Sequence, residues 1–132
     1  MVIHSIKSMH AKSKSKKPKK SLIDRRAIRQ PKLKAIKEHT FAGNKYKIAW
    51  EKPTDWKDDQ GRPVELTGLC DPPDEPGKTI MIDPDVDELV FLKTIVDEGI
   101  HACDFSIDND YVDRMSETIG EFLWRVGFRL KK

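Results

Sequence analysis

The alternation of apolar and polar residues predicts three short strands in the middle of the chain. Between residues 45 and 52, the apolar residues Tyr46, Ile48 and Trp50 alternate with small or charged ones, which is the period of a half-buried strand. Residues 64 to 71 and 78 to 83 form two further apolar segments, separated by turns rich in Asp, Gly and Pro. Because such turns join neighbouring strands, we expect a small three-stranded antiparallel sheet.

After residue 84, apolar residues recur every third or fourth position instead of every second one, and this spacing predicts two helices. The first covers residues 85 to 103, with Asp85 and Glu88 as a capping box and an apolar stripe of Leu89, Leu92, Val96, Ile100 and Cys103. The second begins after Asp108, a candidate cap, stops at Gly127, and has a predicted core stripe of Val112, Met115, Ile119, Phe122, Leu123 and Val126. Strands followed by helices predict an α+β fold, in which two packed helices cover one face of the sheet.

Charge divides the chain into two parts. Residues 1 to 40 contain 13 Lys or Arg and only two acidic residues, whereas residues 41 to 132 contain 12 Lys or Arg and 20 acidic residues. The lysine-rich segment from residue 11 to residue 21 cannot bury enough apolar surface to offset the loss of chain entropy. We therefore predict a basic, largely disordered arm over residues 1 to 40 and one α+β domain over residues 41 to 132.

The basic arm also predicts a class of partner. Its seven Lys between residues 7 and 20 could neutralise several phosphates of a nucleic acid. Because no aromatic residues are interleaved with them to stack on bases, such binding would be non-specific. The alternative is a solubilising tail or a flexible tether.

The lengths of the apolar runs and the number of cysteines predict the cellular compartment in which the protein lies. No apolar run approaches the roughly 18 residues that a membrane span needs, and the first residues lack the apolar core of a signal peptide. The two cysteines, Cys70 and Cys103, are too few for a disulfide framework. We expect a soluble cytoplasmic protein with no membrane partner.

The segment TIVDEGIHACDF, residues 94 to 105, carries the candidate chemistry. Asp97 and His101 are four residues apart in the predicted first helix, so their side chains share one face and could hold one metal ion. Glu98 lies about 100° round the helix from Asp97, where the glutamate of an H-E-x-x-H helix acts as general base. Gly99 costs the helix about 1 kcal/mol relative to Ala, which indicates close approach of another backbone or a substrate. The same residues also fit an ordinary amphipathic helix with a hydrogen-bonded Asp–His pair.

A metal site would need a third ligand. Asp104 lies seven residues after Asp97 on the same helical face, whereas Asp110 and Asp113 open the second helix, which must fold back across the short turn DFSID. We therefore prefer Asp110 or Asp113. An aspartate in place of an imidazole is permissible for Zn²⁺, but its negative charge makes bound water harder to activate, and an oxygen-rich site also suits Mn²⁺ or Mg²⁺.

Two motifs carry a resemblance to a known family. A helix of the TLIHEALHA kind, here TIVDEGIHA, follows a strand ending I-x-I, here IMID, and precedes a helix that begins with acids and ends LLWRLGWR, here FLWRVGFR. This combination, over roughly residues 45 to 130, resembles the small zincin-like minidomains of the SprT-like, H-E-x-x-H metallopeptidase type, especially the short versions common in bacteriophage genomes.

The resemblance implies roles for the candidate residues. Asp97 would occupy the first ligand position, His101 the second, and Asp110 or Asp113 the third, with Zn²⁺ as the metal and Glu98 as the general base. It implies a phage-type, metal-dependent, peptidase-like protein that acts on a protein or peptide, with a degenerate D-E-x-x-H site because Asp97 replaces the first histidine. The alternative is a catalytically inactive scaffold that binds nucleic acid or a partner protein through its lysine-rich arm.

Overall fold

A four-stranded sheet with two helices packed against it makes up the described part of the chain. The computed structural model describes residues 32 to 129, so the lysine-rich segment and its predicted disorder lie outside it. After a 3-10 turn at Leu33–Ala35 come β1 (Glu38–Phe41), β2 (Asn44–Ala49), β3 (Gly68–Cys70), β4 (Thr79–Ile82), α1 (Glu88–Cys103) and α2 (Asn109–Arg125). The predicted α+β class is confirmed.

The sheet is mixed, with strand order β1-β2-β4-β3. β2 and β4 are parallel, whereas β1 pairs antiparallel with β2 and β3 antiparallel with β4. The prediction of three antiparallel strands was therefore wrong in strand number and in one orientation. β1 was missed because three of its four residues are exposed and give no apolar alternation. The long connection between β2 and β4 allows the crossover that a parallel pair requires.

The core lies between the sheet and α1. Tyr46 and Ile80, on the neighbouring strands β2 and β4, are fully or almost fully buried and pack in one cluster with Phe91 of α1. The Tyr46 hydroxyl donates a hydrogen bond to the carbonyl oxygen of Asp71 at 2.9 Å. β1 begins at Glu38, so the sheet includes residues that were predicted to belong to the basic arm.

The N-terminal cap of α1 lies two residues after the predicted cap, Asp85. The cap is Asp87, whose carboxylate accepts a hydrogen bond from the Leu89 amide at 3.2 Å. The helix buries Phe91, Leu92, Thr94, Glu98 and Ala102. Leu92 was predicted to face the core, whereas Cys103, predicted on the same stripe, is exposed. A carboxyl group, that of Glu98, is therefore part of the buried face.

α2 has the predicted ends but a different buried face. Asp108 caps its first turn, and its last turn closes at Gly127, where the amides of Gly127 and Phe128 bond back to the carbonyls of Trp124 and Leu123 in a Schellman arrangement. The buried residues are Val112, Ser116 and Gly120. Half of the predicted core stripe is instead exposed: Ile119, Phe122 and Val126.

Small residues explain why this face of α2 is the buried one. A Cβ atom added to Gly120 would lie 2.5 Å from Cγ and 3.2 Å from Cα of Lys93 on α1. The two helices therefore approach most closely along Ser116 and Gly120, where there is no room for a large side chain. Ile119, the bulky apolar residue next to Gly120 in the chain, is turned outward as a result.

Candidate active site

Four of the predicted site residues meet where α1, α2 and the edge strand β3 come together. Glu98 and Asp113 line both of two adjoining clefts of about 890 and 810 Å³. His101 lines the larger cleft and Asp97 the smaller one. Asp110 lines neither. The fold thus brings Asp97, Glu98, His101 and Asp113 to one place and leaves Asp110 outside it.

Asp97 is the centre of the polar contacts. Its Oδ1 atom lies 3.3 Å from His101 Nε2, one helical turn further along α1. Its Oδ2 atom accepts a hydrogen bond of 3.2 Å from the Ser116 hydroxyl on α2. The Ser116 Oγ atom also lies 3.1 Å from the Asp113 carbonyl oxygen, so one hydroxyl proton serves two acceptors.

The environment of Asp97 favours its protonated form. Burial raises the pKa of Asp97, and a side-chain contact with the Asp113 carboxyl raises it further. The charge of His101 and the hydrogen bond from Ser116 act in the opposite direction. Two carboxyl groups held together in this way take up either a proton or a cation, because two neighbouring negative charges repel each other.

Glu98 is the most buried acid of the site, with 7% of its surface exposed. Burial raises its pKa from the ordinary value of 4.5 to about 8, and the nearby charges of Asp97 and Asp113 add to the effect. At neutral pH the side chain is therefore mostly a neutral acid. A positive charge placed among these carboxylates would lower the pKa again and favour the ionised form.

Strand β3 closes over Glu98 because residue 68 is a glycine. A Cβ atom there would lie 2.6 Å from Thr94 Cγ2 and 2.9 Å from Glu98 Oε2. Just before it, the Thr67 hydroxyl lies 2.9 Å from the Thr94 hydroxyl. Thr94 itself donates to the Val90 carbonyl at 2.8 Å, so Thr67 is the donor in that pair. These contacts fix the start of β3 against α1.

The other candidate acids have structural positions. Asp104 is the C-terminal cap residue of α1, and its carboxylate accepts hydrogen bonds from the Ser106 amide at 3.0 Å and hydroxyl at 2.6 Å. These bonds lower its pKa. Asp110 is exposed in the first turn of α2, where a negative charge stabilises the helix dipole.

Three contributors to the site were not identified from the sequence. Ser116 and Gly68 make the close contacts described above, and Trp56, in the loop before β3, stands half-exposed at the larger cleft. The spacing of Ser116 and Gly120, four residues apart in α2, is a signal of a close helix contact. Nothing in the local sequence places Gly68 beside Glu98 or Trp56 at the same cleft, because both belong to the long β2–β4 connection.

Cys70 also lies in the wall of the larger cleft. Burial is the main cause that raises the pKa of its thiol to about 12. The thiol is therefore protonated at neutral pH, and it is a poor nucleophile and a poor metal ligand in that form.

The side chains of Asp97, His101 and Asp113 are the candidate donors for a divalent cation. Two carboxylates and an imidazole are suitable ligands for Zn²⁺ or Mn²⁺. Within residues 32 to 129, however, no group of three or more His, Cys, Asp or Glu side chains is spaced to hold an ion. Asp97 instead directs one oxygen to His101 and the other to Ser116. The chemistry of the donors fits a cation, and their spacing would have to change to accept one.

No protein-family model, curated protein or solved structure matches the chain. The zincin-like and SprT-like assignment stays a prediction carried by the residue pattern. In the part of the chain that the structure describes, no helix combines the length and the apolar character needed to cross a bilayer.

Proposed function

We propose that the chain is a metal-dependent, peptidase-like hydrolase with a degenerate D-E-x-x-H site. The observation that supports this most is the meeting of Asp97, His101 and Asp113 beside the buried acid Glu98, at clefts open to a ligand. Asp113 is the proposed third ligand in place of Asp110, since only Asp113 lines the site. A bound Zn²⁺ or other divalent cation would polarise a scissile carbonyl and make water a stronger nucleophile.

Glu98 is the proposed proton carrier. In its ionised form it would accept a proton from the attacking water, whose oxygen bonds to the carbonyl carbon of the peptide. It would then give that proton to the leaving nitrogen as the C–N bond breaks. Its burial supports this role, because a carboxyl group shielded from water holds a proton near neutral pH.

The edge strand β3 supports a peptide as the substrate. β3 pairs only with β4, so its other edge has no strand partner among residues 32 to 129. An extended peptide can add to such an edge through main-chain hydrogen bonds. Because Gly68 of β3 touches Glu98, a peptide bound there would lie next to the proposed proton carrier.

Hydrolysis of an unstructured polypeptide tests the proposal. The full-length protein, supplied with Zn²⁺ or Mn²⁺, should cleave unfolded casein, and Glu98→Gln should lower the rate by at least about 100-fold. Glu51→Gln, which removes an exposed acid of the same type, should cleave at the unaltered rate. No cleavage with either metal, or equal rates for the Glu98 variant and the unaltered protein, would refute the proposal.

An inactive scaffold is the second candidate, and the present spacing of the three donors favours it. In this case the domain would keep the zincin-like arrangement without chemistry. The lysine-rich arm, which lies largely outside the described residues, would bind nucleic acid or a partner protein. Both candidates are compatible with the free thiols of Cys70 and Cys103 in a cytoplasmic protein, which is the location we propose.

A further inference from the structure

A second cleft, away from the carboxylates, is lined by three lysines. Lys34, Lys37 and Lys47 surround a groove of about 520 Å³, together with Ile48, Ala49, Trp50 and Thr79. None of these lining residues, all within the described part of the chain, is acidic. The groove is therefore strongly positive, whereas the candidate active site is rich in carboxylates.

The three lysines have no carboxylate partner among residues 32 to 129. The nearest acid in sequence, Glu38, is instead paired with Lys45 at 3.5 Å. Unpaired ammonium groups in one groove repel one another, and an anionic ligand relieves that repulsion. The charge of the groove thus favours binding of an anion.

Main-chain contacts hold the groove in shape. The carbonyl of Lys37 accepts a hydrogen bond from the Ile48 amide at 2.9 Å, and the carbonyl of Ile36 accepts one from Trp50 Nε1 at 2.9 Å. Leu33 is buried in the core. Lys34 and Lys37 are therefore carried by a segment that is tied to β2, and strand alternation places Lys47 on the exposed side of β2 beside buried Tyr46.

We propose that this groove binds the phosphate backbone of a nucleic-acid strand. Lysines neutralise phosphates effectively, and the groove is also lined by Ile48 and Trp50, which are half-buried against the core and make its floor rigid. The sequence adds a second argument for a long polyanion: Lys34 and Lys37 come shortly after residues 1 to 31, which contain ten Lys or Arg and a single acidic residue. The proposal does not depend on hydrolysis, since no residue of the candidate active site takes part.

The test compares two variants with the same loss of charge in the full-length chain. One carries Lys34→Gln, Lys37→Gln and Lys47→Gln; the other carries Lys52→Gln, Lys57→Gln and Arg125→Gln, three residues outside the groove. Affinity for mixed-sequence single-stranded DNA is measured against salt concentration. The groove variant should lose roughly two units of the log–log slope, at about 0.7 per phosphate contact, and the control variant should keep its slope.

Lysine acetylation followed by mass spectrometry gives a readout that the arm does not affect. Single-stranded DNA should protect Lys34, Lys37 and Lys47 and leave Lys57 reactive. Equal slopes for the two variants, or no protection in the groove, would overturn the proposal. Stronger protection by polyglutamate than by DNA would also overturn it and would identify an acidic peptide as the ligand.

Discussion

At the scale of single residues, the buried carboxyl of Glu98 is the most unusual feature of the domain. A buried acid without an opposite charge is expected to be neutral, and its pKa of about 8 follows from burial and from two neighbouring carboxylates. The folded state therefore binds a proton at Glu98 that the unfolded state releases above its ordinary pKa of 4.5. Folding and protonation are linked at this position.

The linkage predicts that stability falls as pH rises. The stabilising contribution of the protonated Glu98 is complete below pH 4.5 and is lost as pH rises toward about 8. Glu98→Gln, which mimics the neutral acid, should therefore be more stable than the unaltered protein at pH 9, by on the order of a few kcal/mol. Urea unfolding between pH 4 and pH 9 would measure the difference.

Glu51→Gln is the control for that experiment, because Glu51 is exposed. Its stability should follow that of the unaltered protein across the pH range. If Glu98→Gln and the unaltered protein differ by the same amount at every pH, Glu98 is not held as a neutral buried acid.

The sequence predicted part of this site. The four-residue spacing of Asp97 and His101 was enough to place them side by side, since helix geometry fixes that distance. The choice between Asp110 and Asp113 depends on how α2 turns as it packs on α1, which no local pattern determines. The apolar stripe of α2 predicted the wrong rotation of this helix, because Ser116 and Gly120 make the contact with α1.

At the scale of elements, the α1–α2 contact sets the geometry of the site. Lys93 packs against Gly120, and its ammonium group pairs with Glu117 at 2.6 Å. The hydrogen bond between Ser116 and Asp97 crosses the same interface. Any change in the helix separation should therefore alter both stability and the site.

Two glycine substitutions test this contact against helix propensity. Gly120→Ala should destabilise the protein by about 1 to 3 kcal/mol, because the new methyl group meets the Lys93 backbone and overpacks the interface. Gly99→Ala should stabilise it by up to about 1 kcal/mol, since among the described residues a Cβ there meets only Phe41, at an ordinary 3.7 Å. Thermal unfolding of both variants checks the signs.

If the helices touch at Gly120 and not at Gly99, the two substitutions must change the free energy of unfolding in opposite directions. Stabilisation by Gly120→Ala would show that the helices are not in close contact there. Among residues 32 to 129, the close approach predicted at Gly99 is not made, and it is found instead at Gly68 and Gly120.

At the scale of the whole molecule, the described domain carries two sites of opposite charge. Carboxylates surround Glu98, and unpaired lysines surround the groove beside Trp50. The fold class followed from the change of apolar period along the chain. The parallel β2–β4 pair did not, because strand order depends on contacts between residues far apart in sequence.

The most direct measurement of the central claim is the Zn²⁺ bound per chain at equilibrium, for the full-length protein and two matched variants. The unaltered protein and Asp110→Asn should bind one ion with equal affinity, whereas Asp113→Asn should bind at least about tenfold more weakly. If the unaltered protein binds no ion, or if Asp110→Asn and Asp113→Asn bind equally, Asp97, His101 and Asp113 do not form a metal centre.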